Sequence, residues 1–311
     1  MGRNELRLED RALKILLFGK NGQVGWELQR ALAPVAEVIA LDREDTAPLC
    51  GDLTDENRVA DTVRNVRPDA IINAAAHTAV DAAEGEPELA RAINAAGPAA
   101  LARAAAERGA WLVHYSTDYV FDGSGSAPWT EDDTPGPLNV YGKTKLEGEQ
   151  LIRASGCPHL ILRTSWVYAS RGHNFARAML RLASERDELT VIDDQHGAPT
   201  GADLLADVSV HALRAAMLRP ELGGTYHVAA SGETTWFGYA RRVIETARSA
   251  GRSIRVAPEA VRPVASTSFA TAATRPMNSR LDTTRFRRTF DLRLPHWTSG
   301  VDRMLIEILG R

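Results

Sequence analysis

Two side chains suited to acid–base chemistry lie four residues apart in the middle of the chain, at Tyr141 and Lys145. The run from Thr144 to Glu149 favours a helix, so we expect the phenol and the amine to share one helix face. A phenol has a pKa of about 10, and an ammonium one turn away should favour the phenolate and lower that pKa. The spacing predicts proton transfer to or from a carbonyl or an alcohol, although many surface helices carry the same spacing.

A second set of polar side chains follows an apolar run upstream of this pair. The run from Trp111 to Val113 is typical of a buried strand, and Ser116, Thr117 and Asp118 come at its end. Open α/β sheets bind ligands at the carboxyl ends of their strands, where a hydroxyl can reach a substrate. A helix cap or a turn is the alternative for these residues on their own.

The elements that must position these residues begin with a glycine-rich turn. The apolar run 14–18 is followed by Gly19, Gly22 and Gly25 and then by a helical pattern. Glycines there permit a tight turn and a close approach of the backbone to a pyrophosphate at the helix N-terminus. The G-x-x-G-x-x-G spacing is one residue off the usual dinucleotide motif. A second strand that ends at Asp42, where an acid would hold a ribose hydroxyl, supports cofactor binding.

Strands and helices continue to alternate along the first half. Residues 69–73 form a predicted buried strand, an Ala-rich helix covers about Glu86 to Arg108, and another strand begins at His159. This alternation predicts an α/β fold: a doubly wound parallel Rossmann sheet with a smaller C-terminal substrate-binding lobe. We expect a mobile leader at 1–12, the Rossmann domain at 13–168 and the lobe at 169–311, with about 189–230 returning to the sheet.

The bulk properties restrict the class of protein. The chain has 311 residues, of which 44% are hydrophobic and 25% charged, and its net charge is −3. With no basic footprint, we expect no nucleic-acid partner. Cys50 and Cys157 are too few for a disulfide framework, which favours a reducing cytoplasm. The apolar runs are far too short to span a membrane, and the charged N-terminus does not resemble a signal peptide.

The second half is less periodic. We predict a helix from Asn174 to Glu185, a strand at 189–192, a turn at 197–201 and a strand at 225–229. The segment from Arg275 to Asp282 has the character of a loop. Its arginines could bind a diphosphate, or form a solvated charge cluster.

Several longer motifs carry a family resemblance. The glycine triplet, the Ser116–Asp118 run and Tyr141-x-x-x-Lys145 resemble the extended short-chain dehydrogenase/reductase superfamily. From Leu13 onward, the chain is similar to the dTDP-4-dehydrorhamnose reductase family in FGKNGQVGWELQ, NAAAHTAVDAAE, HYSTDYVFDG, LNVYGKTKLEGE, RTSWVY, DQHGAPTGADLLAD and RPMNSRLD.

The resemblance implies an activity and a set of roles. A nicotinamide cofactor, NADPH or NADH, would reduce the 4-keto group of a dTDP-6-deoxyhexulose to give dTDP-L-rhamnose for cell-envelope polysaccharide such as O-antigen. Tyr141 would donate the proton, Thr117 would bind the carbonyl oxygen and Lys145 would hold the nicotinamide ribose. The dTDP-sugar would contact Thr117, Asp118, Trp166, Asn174, Arg275 and Ser279. Trp166 could equally be core packing.

The cofactor set implied by the resemblance is longer. It comprises Gly19, Gly22, Gln23, Val24, Gly25, Asp42, Arg43, Asp52, Leu53, Ala75, Ala76, His77, Thr78, Tyr115, Tyr141 and Lys145. The Asp42–Arg43 pair favours neither cofactor, because the acid repels a 2′-phosphate and the arginine attracts it. His77 could look like a catalytic base, but we expect a loop residue with a local hydrogen bond.

The resemblance also implies an assembly. Some family members hold a divalent cation between subunits, and the matching acids are Glu27, Asp203 and Glu307. This predicts a homodimer with a structural Mg²⁺ ion, while plain surface charge is the alternative reading of the three acids.

Two rival classes stay open. A 4,6-dehydratase would carry an acid where this chain has Tyr119, and a related sugar-nucleotide epimerase is a further possibility. A non-catalytic binding protein, like the regulatory subunit of methionine adenosyltransferase, keeps the Tyr-x-x-x-Lys spacing but departs around the substrate. Thr117 and the Arg163–Trp166 run follow the reductases instead.

Overall fold

A computed structural model of the protein describes residues 12–310. The expected mobile leader lies outside the described residues, apart from residue 12. The strands are β1 (Leu13–Phe18), β2 (Ala36–Leu41), β3 (Ala70–Asn73), β4 (Trp111–Thr117), β5 (His159–Thr164), β6 (Val167–Tyr168), β7 (Leu189–Ile192), β8 (His196–Gly197), β9 (Thr200–Gly201), β10 (Gly224–His227), β11 (Thr234–Thr235) and β12 (Val261–Val264).

The helices surround these strands in chain order. They are α1 (Gln23–Leu32), α2 (Glu56–Val66), α3 (Val80–Gly85), α4 (Pro87–Arg91), α5 (Gly97–Arg108), α6 (Val140–Ala154), α7 (Phe175–Glu185), α8 (Ala202–Leu218), α9 (Trp236–Ser249), α10 (Thr284–Phe290) and α11 (Trp297–Leu309). Among residues 12–310, none of these helices has the length and apolar character required to cross a membrane.

The central sheet has six parallel strands in the order β10-β5-β4-β3-β1-β2. Its strands are apolar on both faces because both faces are covered. Ile15 and Leu17 of β1 pack with α1 and α8, whereas Leu16 and Phe18 face α2 and α5. The predicted doubly wound Rossmann fold is therefore confirmed.

The chain order changes direction between β1 and β3, so the carboxyl ends of these strands diverge into a crevice. The crevice is the expected ligand position. A separate core of Tyr168, Met179, Tyr239 and Val301 lies in the second half of the chain. The expected division at residue 168 stays a prediction.

Three local expectations need correction. The strand at 189–192 pairs with β12 outside the central sheet, so the return to the sheet consists of α8 and β10. The turn at 197–201 contains β8 and β9, which pair with β11 and β6. The Ala-rich helix is interrupted by a π turn at Ala92–Ala96, followed by Pro98, whose ring nitrogen cannot donate to the preceding turn.

Candidate active site

The glycine turn fits tightly against the strand ends. Gly19 has a φ of +86°, and a Cβ atom there would lie 2.7 Å from the nitrogen of Ala75. A Cβ atom on Gly25 would lie 2.0 Å from the Gly19 carbonyl oxygen. Because neither position has room for a side chain, the turn can hold α1 close to β1, with its N-terminus facing the crevice.

A cavity of about 470 Å³ opens from this turn along the ends of β3, β4 and β5. It contains both catalytic candidates and several of the expected ligand contacts. The residues around it are Gly22, Gln23, Val24, Ala74, Ala76, Thr78, Val80, Tyr115, Ser116, Thr117, Asp118, Tyr119, Tyr141, Lys145, Thr164, Ser165, Trp166, Val167 and Trp236. We call this space the catalytic cavity.

Tyr141 enters the cavity from the first turn of α6. The helix starts there because the Asn139 side chain accepts a hydrogen bond from the Gly142 backbone nitrogen at 2.8 Å. Burial raises the pKa of Tyr141 to about 12, and a hydrogen bond with Thr117 opposes the shift. The expectation of a lowered pKa was therefore wrong for this structure. A phenol that keeps its proton suits proton donation, which is the direction that reduction of a carbonyl requires.

Lys145 lies one turn deeper in α6 and is 2% exposed. Its Nζ donates to the Tyr115 carbonyl oxygen at 2.6 Å and lies 3.1 Å from Nε2 of His114. Burial lowers the pKa of Lys145 to about 8, while the Glu149 carboxylate acts in the opposite direction. The amine therefore titrates close to neutral pH.

Thr117 and Asp118 occupy the end of β4, as predicted. The Thr117 hydroxyl donates to Asp118 Oδ1 at 3.1 Å and accepts from the Tyr119 backbone nitrogen. Burial raises the pKa of Asp118 to about 7, although a hydrogen bond with Ser279 opposes the shift. Asp118 Oδ2 is buried and has no hydrogen-bond partner within residues 12–310. This oxygen can bind a hydroxyl group of a ligand.

A pair of stacked indoles closes another side of the cavity. Trp166 and Trp236 have ring centroids 3.7 Å apart with an interplanar angle of 15°. Trp166 has a φ of +49°, a costly conformation for an aromatic residue. Its ring also packs against Gly197, where a Cβ atom would lie 2.7 Å from the indole. Trp166 is only half-buried and lines the cavity, so it is available to a ligand.

Some of the expected cofactor residues line the catalytic cavity, and others lie away from its wall. Gly22, Gln23, Val24, Ala76, Thr78 and Tyr115 line the cavity together with the Tyr141–Lys145 pair. Leu53 is buried and Asp52 accepts from Thr54. The backbone nitrogen of His77 donates to Asn94 Oδ1 at 2.9 Å, and its ring lies 3.6 Å from Glu86.

Asp42 and Arg43 lie outside the cavity, at the end of β2. The Asn21 side chain donates to Asp42 Oδ2, and Lys20 Nζ pairs with Asp45 at 2.5 Å. Arg43 is exposed. We call these five residues the Asp42 edge. Lys20 and Asn21 belong to the glycine turn, so the sequence signal for them was their position within that motif.

The remaining substrate candidates lie around the cavity rather than on its wall. Asn174 caps α7 and donates to Gln23 Oε1 at 3.0 Å, which ties α7 to the glycine turn. Arg275 pairs with Asp81 at 2.7 Å and also hydrogen-bonds Tyr119. Arg275 thus already pairs with protein groups, and its contact with the diphosphate of the substrate stays a prediction.

The three acids expected at a metal line one cavity of about 270 Å³. Arg303 lies 3.3 Å from Asp203 and 3.5 Å from Glu307, and Arg30 pairs with Glu27 at 3.1 Å. These guanidinium groups would repel a cation. Within residues 12–310 no cluster of three or more His, Cys, Asp or Glu side chains is placed to hold a metal ion. The acids are paired with arginines in the described chain, and the Mg²⁺ ion expected between subunits stays a prediction.

Three residues near the site were not predicted. Trp236 comes from α9, His114 supports Lys145 from β4, and Asn73 contacts His114 from β3. The sequence places His114 and Asn73 at the ends of predicted strands, but nothing local shows that their side chains meet.

A glycine turn at the switch point of a Rossmann sheet, facing a buried Tyr–Lys pair, defines the class of nicotinamide-dependent short-chain dehydrogenases/reductases. Within that class, the model of the RmlD substrate binding domain matches residues 13–309, and the chain belongs to this family. The resemblance inferred from the motifs is thus confirmed.

Individual relatives agree with this assignment. The dTDP-4-dehydrorhamnose reductase of Salmonella typhimurium is 58% identical over 95% of this chain and 98% of that protein. The Escherichia coli K12 enzyme of the same name is 57% identical over 95% of this chain and 98% of its own length. A dTDP-4-dehydrorhamnose reductase from Bacillus anthracis, solved in complex with NADP, has a TM-score of 0.86 at 36% identity and covers 96% of this chain and 100% of that chain.

Proposed function

We propose that this protein is an NAD(P)H-dependent dTDP-4-dehydrorhamnose reductase, which reduces the 4-keto group of dTDP-4-dehydro-L-rhamnose to give dTDP-L-rhamnose for cell-envelope polysaccharide. The observation that carries the proposal is that the Tyr141 phenol lies beside Thr117 in the cavity that opens from the glycine turn. The names of its relatives support the substrate.

The chain's own residues account for the proton and for orientation. A bound reduced nicotinamide would supply the hydride to C4. Tyr141 holds the proton that the developing alkoxide requires. The Thr117 hydroxyl, which donates to Asp118 Oδ1 in the protein without ligand, would turn to donate to the same substrate oxygen. Lys145 Nζ is fixed by Tyr115 where it can contact the nicotinamide ribose. Asp118 and Trp166 orient the sugar through the free Oδ2 atom and the indole face.

The phosphate and ribose contacts follow from the glycine turn. The N-terminus of α1, with Gln23 and Val24, would receive the pyrophosphate, and Ala76 and Thr78 would border the nicotinamide side. Asp42 and Arg43, with Lys20 nearby, would meet the adenosine ribose. Asn174 acts through Gln23, and Ser279 acts through Asp118.

We propose a cytoplasmic homodimer as the working form. Cys50 and Cys157 are both free and buried, as suits a reducing compartment. Trp26 of α1 is 47% exposed, and the Arg171 guanidinium lies 3.6 Å from its ring centroid, which is an anchor that a second copy could cover. Sedimentation of the parent and of Trp26→Ala tests the assembly: an unchanged monomer in both would exclude it.

The dehydratase alternative finds little support in the cavity. Tyr119 stands where a dehydratase carries an acid, and its ring packs edge-on against Tyr141 with centroids 5.7 Å apart. A phenol is a much weaker acid than the carboxylic acid that a dehydratase carries at this position, and burial raises the pKa of Tyr119 further.

The direct test is a coupled assay. The protein, dTDP-4-keto-6-deoxyglucose and the family's 3,5-epimerase are mixed with NADPH or with NADH, and the loss of nicotinamide absorbance is followed. We expect oxidation that depends on both the sugar and the epimerase, and that is slower by about 10²-fold or more with Tyr141→Phe. A folded parent that oxidises neither cofactor would exclude the reductase and favour the non-catalytic binding protein.

A further inference from the structure

A buried chain of hydrogen bonds runs from the backbone of the β3 exit to Lys145. His114 is fully buried, and its two ring nitrogens face different partners. Nε2 lies 3.1 Å from Lys145 Nζ, and Nδ1 lies 3.1 Å from the side-chain nitrogen of Asn73. Asn73 Oδ1 in turn accepts from the Ala75 backbone nitrogen at 3.1 Å.

The direction of every bond in this chain follows from its fixed end. A backbone N–H can only donate, so Ala75 holds the amide oxygen of Asn73 toward itself and turns the amide NH₂ toward His114. His114 Nδ1 must therefore accept. A neutral imidazole with an acceptor at Nδ1 carries its proton on Nε2. Burial lowers the pKa of His114 well below its usual value, which keeps the ring neutral.

The Nε2–H group of His114 then points at Lys145 Nζ. An ammonium group has no lone pair, so only a free amine can accept this hydrogen bond while it donates to the Tyr115 carbonyl. A protonated Lys145 would face a donor at the same distance and would break one link of the chain.

The charged and titratable groups around Lys145 are consistent with a neutral amine. The Glu149 carboxylate would favour the ammonium, but Arg163 binds both of its oxygens at 2.9 and 2.7 Å and neutralises it. The titratable groups concerned are Tyr141 and Glu149 on α6, His114 and Asp118 on β4 and at its end, and Arg163 on β5.

We propose that His114, oriented by Asn73, is a positioning residue that favours the free-amine form of Lys145 over the ammonium in the protein without cofactor. The consequence for turnover rests on the proposed function. If Lys145 binds the nicotinamide ribose, protonation of Lys145 requires the hydrogen-bond chain to rearrange, and protonation is thereby coupled to cofactor binding. The roles proposed above for Tyr141 and Lys145 in proton transfer do not require such a partner.

The protonation state can be measured directly. The chain has four lysines, Lys14, Lys20, Lys143 and Lys145, so a protein labelled with ¹³C at the lysine Cε gives few resonances. The variant Lys145→Met lacks the Lys145 resonance and so assigns it in the spectrum of the parent. We expect the Lys145 signal of the cofactor-free parent to titrate below the other three.

Two variants change which atoms donate and which accept in the Asn73–His114–Lys145 hydrogen-bond chain. In His114→Gln the amide can rotate and present an acceptor to Lys145. In Asn73→Asp a carboxylate accepts from both Ala75 and His114, so the imidazole proton moves to Nδ1. Both should raise the Lys145 titration by about one pH unit or more, a tenfold change in proton affinity. His159→Gln, at the edge of β5, is the matched control and should leave it unchanged.

A Lys145 signal that titrates with the other lysines in the parent, or that does not move in folded His114→Gln, would overturn the proposal. If Asn73→Asp does not fold, His114→Gln alone decides. Because the titration uses no sugar substrate, failure of the coupled assay would not be confused with failure of this inference.

Discussion

The two ends of the expected cofactor site differ in their contact with water. The catalytic cavity keeps Lys145 and Asp118 at 2% exposure, and burial shifts the pKa of each group. At the Asp42 edge, Lys20 and Asp45 keep about a third of their side-chain surface, and Arg43 is exposed. Charges are strong where water is excluded and weak where it enters. We therefore expect large effects from the cavity and small effects from the edge.

The largest effect should come from Tyr141→Phe, which removes the proton donor and leaves the ring. Positioned proton transfer contributes about 10²-fold or more, so kcat in the coupled assay should fall by that factor. The dissociation constant for NADPH should change little. Tyr119→Phe is the matched control, since its phenol borders the same cavity. Turnover of Tyr141→Phe within a few-fold of the parent would exclude Tyr141 as the acid.

Asp118→Asn should change the pH dependence of stability. The folded protein holds the Asp118 proton to a pKa of about 7, whereas the unfolded chain releases it near 3.8. The stabilisation from the bound proton is full below about pH 4 and is lost as the pH rises to 7. Relative to the parent, the variant should gain roughly 4 kcal/mol of unfolding free energy between pH 4 and pH 8, at about 1.4 kcal/mol for each unit of the pKa shift.

Urea unfolding at several pH values measures this gain. Asp122→Asn, at an exposed carboxylate, is the control. Parallel pH curves for the parent and Asp118→Asn would show that Asp118 is ionised throughout and that the cavity is wetter than its burial implies.

Trp166→Ala tests the stacked indoles with an intermediate effect. An aromatic stacking contact contributes about 0.5–1.5 kcal/mol beyond its buried area. Loss of the contact between the Trp166 indole face and the sugar should therefore raise KM for the dTDP-sugar roughly three- to tenfold. NADPH binding should not change. Trp166→Phe retains a ring and should recover most of the affinity. A lower melting temperature with an unaltered KM would instead assign Trp166 to the core.

The smallest effect should come from the Asp42 edge. Asp42→Ala should shift kcat/KM toward NADPH because a repulsion is removed, and Arg43→Ala should shift it toward NADH. Each shift should stay under about tenfold, or about 1.4 kcal/mol, because these charges are solvated. Shifts in the same direction for both variants would show that the two side chains do not face the ribose.

Some parts of the site were predictable because they are local. Tyr141 and Lys145 share a helix face by spacing alone, and Asn174 caps α7 at the start of a helix predicted to within one residue. The lowered pKa of Tyr141 was wrong because the shift depends on burial and on neighbours from other strands. The pairing of Asp203, one of the expected Mg²⁺ ligands, with Arg303 was not predictable for a similar reason, since Arg303 reaches it from α11.

The sequence by itself determined the order of strands and helices, the glycine turn and the Tyr–Lys spacing, because apolar periodicity, backbone freedom at glycine and the helical repeat act over a few residues. Only the tertiary structure decided which charges are neutralised, which way the Asn73–His114–Lys145 chain runs and that Trp236 stacks on Trp166. Those properties depend on water exclusion and on contacts between residues far apart in the chain, and neither is encoded in a local pattern.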